Sequence, residues 1–117
     1  MRILLVEDDK DVAETVRQAL AILGHSVIHA ASVVEAVELV DGSDGLDVAI
    51  LDVDLAGGTS AGVACVLSGR SIPFIVATGH TVAETPDEMR GKPHLRKPYL
   101  LVELERALEL CLTSPSG

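Results

Sequence analysis

Val48-Ala49-Ile50-Leu51-Asp52-Val53-Asp54 is an apolar run that breaks abruptly into carboxylates. A run this short and this rich in branched side chains reads as a strand buried on both faces, of the kind found inside a parallel sheet. Asp52 is then the first side chain at the strand's carboxyl end able to do chemistry. In open α/β sheets that edge is where ligands and reactions gather. The rest of the chain reads as elements that bring other groups to Asp52.

Upstream, Arg2-Ile3-Leu4-Leu5-Val6 is a first strand ending in Glu7-Asp8-Asp9. A helix follows from Asp11, with Val12, Val16, Leu20 and Leu23 as its apolar stripe. Asp9 reads as a solvated acid of its first turn, and Gly24 closes it as a C-cap. Ser26 to Ala30 is a second strand. Ser32-Val33-Val34-Glu35 is a capping box that starts a second helix, reaching about Val40. Residues 41–45 then turn into the central strand. Downstream, a Gly57-Gly58 loop leads to a third helix capped by Thr59 or Ser60 and running through about Ser68. Ile72 to Ala77 is a fourth strand with Pro73 near its start. Residues 79–91 hold Pro86 and Gly91 and few apolar side chains, so a short, irregular helix at most is expected there. His94-Leu95 lies in a fifth strand, which Pro93 marks as a sheet edge. A last helix from about Tyr99 carries Leu100, Leu104, Leu108 and Cys111, and residues 113–117 form a disordered tail. Leu101 and Leu112 fall off that stripe and hint at a contact surface. Five strands alternating with four or five helices imply a parallel sheet covered on both faces, with right-handed crossovers.

With 117 residues the chain is one domain, residues 1–112, large enough for a full core. Residues are 48% hydrophobic but only 2% aromatic, so Val, Leu, Ile and Ala must fill that core. No apolar run approaches the ~20 residues that span a bilayer, and Met1-Arg2 enters a strand directly, with no signal peptide. A cytoplasmic location is therefore expected. Cys65 and Cys111 show no metal-binding spacing and read as reduced packing residues. Net charge is −9, with twelve acidic and three basic residues in the first 69. Such a chain repels nucleic-acid phosphates, which points to a protein or a small phosphorylated molecule as partner.

The carboxyl ends of neighbouring parallel strands open on one edge. The first contributes Glu7 and Asp8, the third Asp52, the fourth Thr78 and the fifth Lys97. Two unit charges ~4 Å apart interact by about 4 kcal/mol at an effective dielectric of ~20. Crowded carboxylates therefore either take up protons or hold a hard cation. An all-oxygen set suits Mg²⁺. Such a charge would also assist a phosphoryl group approaching Asp52. Lys97 precedes Pro98, whose sharp turn would hold the ammonium over the site as a point charge for phosphate. Thr78 offers a hydroxyl donor.

Four motifs lie in order at the strand ends: Leu5-Val6-Glu7-Asp8-Asp9, Ile50-Leu51-Asp52-Val53-Asp54, Ala77-Thr78-Gly79 and Arg96-Lys97-Pro98-Tyr99. Together they resemble the receiver domain of bacterial two-component response regulators, over essentially the whole chain. The resemblance implies a flavodoxin-like, doubly wound α/β fold with a five-stranded parallel sheet in the order 2-1-3-4-5. It implies that Asp52 is the phosphoacceptor, that Asp8 ligates Mg²⁺ directly and that Glu7 reaches it through water. The backbone carbonyl of Asp54 would be a further ligand. Thr78 resembles the switch hydroxyl and Lys97 the phosphate-binding lysine. The Asp54 and His80 side chains match positions that tune dephosphorylation. Three departures stand out. His94 occupies the place of the switch aromatic, the segment before Lys97 is short, and Leu55-Ala56-Gly57-Gly58 lacks the common proline.

The leading expectation is a stand-alone receiver phosphorylated by a histidine kinase or a histidine phosphotransfer protein. It would signal through protein contacts or act as a phosphorelay intermediate, without direct nucleic-acid or membrane binding. Met1 and the frayed tail favour a complete protein. One alternative is a degenerate receiver serving as an interaction module. Another is a phosphatase of the haloacid-dehalogenase type, whose DxD signature Asp52-Val53-Asp54 also fits, although that motif normally sits on the first strand. His94 reads either as a half-buried edge residue or as part of a switch, and His80 as a tuning residue or a plain loop residue.

Overall fold

Hydrophobic alternation is hidden in this chain because its central strands are buried on both sides, and the three-dimensional arrangement makes it visible. The computed structural model describes residues 1–42, 45–55, 58–78, 92–97 and 99–113, the side chains of residues 54, 58, 59, 112 and 113 excepted. In chain order the elements are β1 (Arg2–Val6), α1 (Lys10–Ile22), β2 (Ser26–Ala30), α2 (Val33–Gly42), β3 (Val48–Asp52), β4 (Asp54–Leu55), β5 (Gly58–Thr59), α3 (Ala61–Gly69), β6 (Phe74–Thr78), β7 (His94–Arg96) and α4 (Leu101–Thr113). Five strands form one parallel sheet in the order β2-β1-β3-β6-β7, while β4 and β5 make a small antiparallel ribbon. With the ribbon set aside, this is the flavodoxin-like order 2-1-3-4-5.

Leu4 and Val6 of β1, Ala49 and Leu51 of β3, and Val76 of β6 enter one core, closed by Ala36 and Val40 of α2 and Val63 and Leu67 of α3. The intervening residues Ile3, Leu5, Val48, Ile50 and Ile75 enter the other, closed by Val16 and Leu20 of α1 and Leu104 and Leu108 of α4. The period of two along each strand thus sorts one apolar run between two cores. The same parity governs the site. Residues 3, 5 and 7 share one face of β1, and residues 48, 50 and 52 share that face of β3. Because Leu5 registers with Ile50 and Val6 with Leu51, Glu7 emerges beside Asp52.

Several boundaries differ from those expected. Helix α1 starts at Lys10, not Asp11, because Asp9 is its N-cap: the Asp9 carboxylate accepts from the N–H groups of Asp11 and Val12. Its buried stripe is Ala13, Val16 and Leu20, whereas Val12 and Leu23 are exposed. Gly24, with φ +91°, ends the helix as expected. Strand β6 begins at Phe74 and includes Thr78. Pro73 accepts from Ala49 N–H but has no N–H of its own for the ladder. Helix α4 begins at Leu101, two residues later than expected. The Glu103 carboxylate accepts from Leu100 N–H at 2.8 Å, and Leu100 O accepts from Leu104 N–H. Leu100 therefore sits at the helix entrance, 66% exposed, and Ala107 takes a place in the core.

Ser60 is the N-cap of α3 by position, but its side chain makes no capping bond. Cys65 is exposed, contrary to its reading as a packing residue, and Cys111 is buried. The last helix extends through Thr113; the rest of the tail, 114–117, lies outside the described residues. So does the short helix expected over residues 79–91, together with His80. Among the described residues no helix is long and apolar enough to cross a membrane.

Candidate functional site

Three strand ends converge where the sequence places its acids. Glu7, just past β1, is 4% exposed; Asp52, the last residue of β3, is 6% exposed. Asp8, between β1 and α1, faces solvent. Glu7, Asp8 and Asp52 each offer a carboxylate oxygen, and these oxygens lie within 4.8 Å of one another.

Lys97 enters from the end of β7. Its Nζ donates to Glu7 Oε2 at 2.7 Å and lies 2.9 Å from Asp52 Oδ2. The second Glu7 oxygen, Oε1, accepts from Asp9 N–H at 3.2 Å. Lys97 N–H donates to the Thr78 carbonyl at 3.0 Å, which ties the lysine's backbone to the end of β6. Thr78 is buried there, one residue past Ala77, the register partner of Asp52.

One ammonium does not balance three carboxylates. Burial, reinforced by the Glu7 charge, pushes the Asp52 carboxyl up to about 6 against the pull of Lys97. For Lys97, burial acts to lower the pKa, but the hydrogen bonds to Glu7 and Asp52 outweigh it and hold it above the usual lysine value. The Tyr99 phenol is also raised, chiefly by burial and next by the Glu7 charge. An all-oxygen cluster of two buried carboxylates and one open to solvent, with a surplus of negative charge, fits a hard divalent cation. Glu7, Asp8 and Asp52 are the side chains positioned to hold one.

Of the remaining sequence candidates, Asp54 lies in β4 with its backbone paired to Thr59. His94 opens the edge strand β7, half-buried. Its Nδ1–H donates to the Lys92 carbonyl at 2.7 Å, while Nε2 is buried without a hydrogen-bond partner among the described residues. Sequence reasoning missed two neighbours of the site. Tyr99 is one. His29 of β2 is the other, with Nε2 2.7 Å from the Glu7 carbonyl oxygen. The signal for His29 is a register, since Leu5 pairs with His29, and a register is invisible until strand order is known.

Comparison with known proteins points to the same chemistry. Residues 3–109 match the family described as the response regulator receiver domain. The response regulator MprA of Mycobacterium leprae is 36% identical over 109 residues, covering 89% of this chain and 47% of that protein. The chain spans about half the length of the curated relatives it matches. SdrG from Sphingomonas melonis Fr1 has a similar structure, with a TM-score of 0.84 and 35% identity over 97% of each chain. So does the receiver domain of the sensor histidine kinase PA1611 from Pseudomonas aeruginosa PAO1, solved with a magnesium ion coordinated in its active-site cleft. There the TM-score is 0.84 and identity 25%, over 97% of this chain and 98% of that one.

Proposed function

This chain belongs to the response regulator receiver domain family, and from that premise we propose that Asp52 is its phosphoacceptor, charged by a histidine kinase or a histidine phosphotransfer protein. The observation that carries the reading is Lys97 Nζ set between the Glu7 and Asp52 carboxylates. That pairing holds a cation beside a buried nucleophile at a strand's carboxyl edge.

In the transfer, an Asp52 carboxylate oxygen attacks the phosphorus of a phosphohistidine. The phosphorus–nitrogen bond breaks, the imidazole leaves and takes up a proton, and an acyl phosphate remains on Asp52. Lys97 gives its hydrogen bond to a phosphoryl oxygen in place of the Asp52 oxygen it now holds. The Thr78 hydroxyl donates to another, and that movement shifts the surface that a protein partner reads. Asp8 would ligate Mg²⁺ directly, Glu7 through water and Asp54 through its backbone carbonyl; the magnesium ion coordinated in the PA1611 cleft supports a divalent cation at such a site. When bound, the cation neutralises charge on the incoming phosphoryl group. Asp54 and His80 tune hydrolysis of the acyl phosphate, and His94 belongs to the switch. The output is a protein contact or a relay step. The module accepts and releases phosphate and is not an enzyme acting on a separate substrate.

Incubation with a small acyl-phosphate donor and Mg²⁺, followed by intact mass, tests the proposal. One phosphoryl group per chain is expected, removed by hydroxylamine and absent in Asp52→Asn. No uptake by the native chain would favour the degenerate receiver, and continuous turnover of phosphoesters would favour a phosphatase.

A further inference from the structure

Two of the site's three acids, Glu7 and Asp8, sit on the loop Glu7-Asp8-Asp9, and something must fix how that loop leaves β1. The Glu7 N–H is held by the parallel ladder, donating to the Ala30 carbonyl at 3.0 Å. Asp9 is held from the other side as the N-cap of α1. Between them lies the Glu7–Asp8 peptide, whose orientation sets where the Asp8 carboxylate is aimed. The imidazole of His29 meets the carbonyl oxygen of that peptide, at 2.7 Å.

A carbonyl oxygen only accepts, so Nε2 of His29 must carry the proton and donate. The imidazole reaches the carbonyl because residues 5 and 29 are register partners. His29 is half-buried on the edge strand β2. The bond lies at the short end of the N–H···O range. We propose that His29 is a positioning residue for the divalent-cation site: through the Glu7 carbonyl it locks the Glu7–Asp8 peptide plane and so pre-aims the two upstream carboxylates. The inference rests on the cation-site reading given above. Outer partners that orient metal ligands characteristically change affinity by ~10–100-fold when removed. An effect relayed through a backbone carbonyl belongs at the lower end of that range.

The experiment is calorimetric titration of Mg²⁺ into the native chain, His29→Ala and His29→Gln, with thermal unfolding in chelator alongside. The glutamine amide places an N–H donor near the position of Nε2. His29→Ala is expected to weaken Mg²⁺ binding about tenfold, and His29→Gln to recover most of it. A His29→Ala chain that is less stable in chelator yet binds Mg²⁺ as the native chain does would overturn the proposal, since His29 would then only support the fold. A native chain that takes no Mg²⁺ would overturn the cation-site reading and this proposal with it. A second measurement needs no variant. Long-range nitrogen–proton correlation spectra of the native imidazole should show the proton on Nε2, and a proton on Nδ1 alone would overturn the clamp.

Discussion

At the scale of single residues, burial and the Glu7 charge hold the Asp52 carboxyl above the usual carboxylate range. Its ordinary value is 3.8 and the folded value is raised to about 6. Between those values the folded chain retains a proton that the unfolded chain has released. Stability from this group is therefore complete below pH ~4 and is lost as pH rises through about 6. Asp52→Asn removes the charge and should stabilise the cation-free protein at neutral pH by about 1–2 kcal/mol, with the gain shrinking toward pH ~4. Thermal unfolding in chelator across that range measures it, and a gain that ignores pH would contradict the assignment. Lys97 acts in the opposite sense. Lys97→Gln deletes the ammonium paired with Glu7 and Asp52, so the Asp52 titration followed by carboxyl NMR should move higher still. An unmoved midpoint would mean that the ion pair does not operate in solution.

At the scale of elements, what was legible in the sequence followed from short-range chemistry. The Ile50-Leu51-Asp52 run could only be a doubly buried strand, and Gly24 could only be a helix stop. The entrances to α1 and α4 differ from expectation because carboxylates fix where the helices start: Asp9 caps α1 one residue earlier, and Glu103 holds the Leu100 N–H so that α4 begins two residues later, while Val16, Leu20, Leu104 and Leu108 keep their buried places. Apolar spacing alone then chose Val12 and Leu100 in place of Ala13 and Ala107. The ribbon formed by β4 and β5 went unseen because two-residue strands carry no periodicity. The later start of α4 is testable. Leu104→Ala, at a fully buried position, should cost about 2–4 kcal/mol in urea unfolding. Leu100→Ala, at the exposed entrance, should change stability by less than ~0.5 kcal/mol. Equal losses at both positions would restore the stripe that apolar spacing suggests.

At the scale of the whole molecule, the site exists because strand order and parity act together. Glu7 and Asp52 each stand at the end of an apolar run, but only parallel pairing of β1 with β3 puts them side by side, and pairing of β6 with β7 brings Thr78 and Lys97 to the same edge. The motif at each strand end was readable, but the distances among them were not, since they depend on register. With a net charge of −9 and its buried acids crowded together, the folded chain should be stabilised by Mg²⁺. Cation at 100 times its dissociation constant contributes about 2.7 kcal/mol, seen as a higher unfolding temperature that Asp8→Asn largely removes. Equal stabilisation of the variant would place the cation elsewhere. The most direct measurement traps the acyl phosphate itself. Borohydride reduction of the chain after treatment with an acyl-phosphate donor converts a phosphorylated aspartate to homoserine, which peptide sequencing locates. Homoserine is expected at position 52 alone, and only when Mg²⁺ accompanied the donor; homoserine at another aspartate, or an equal yield in chelator, would contradict a cation-assisted phosphoacceptor at the end of β3.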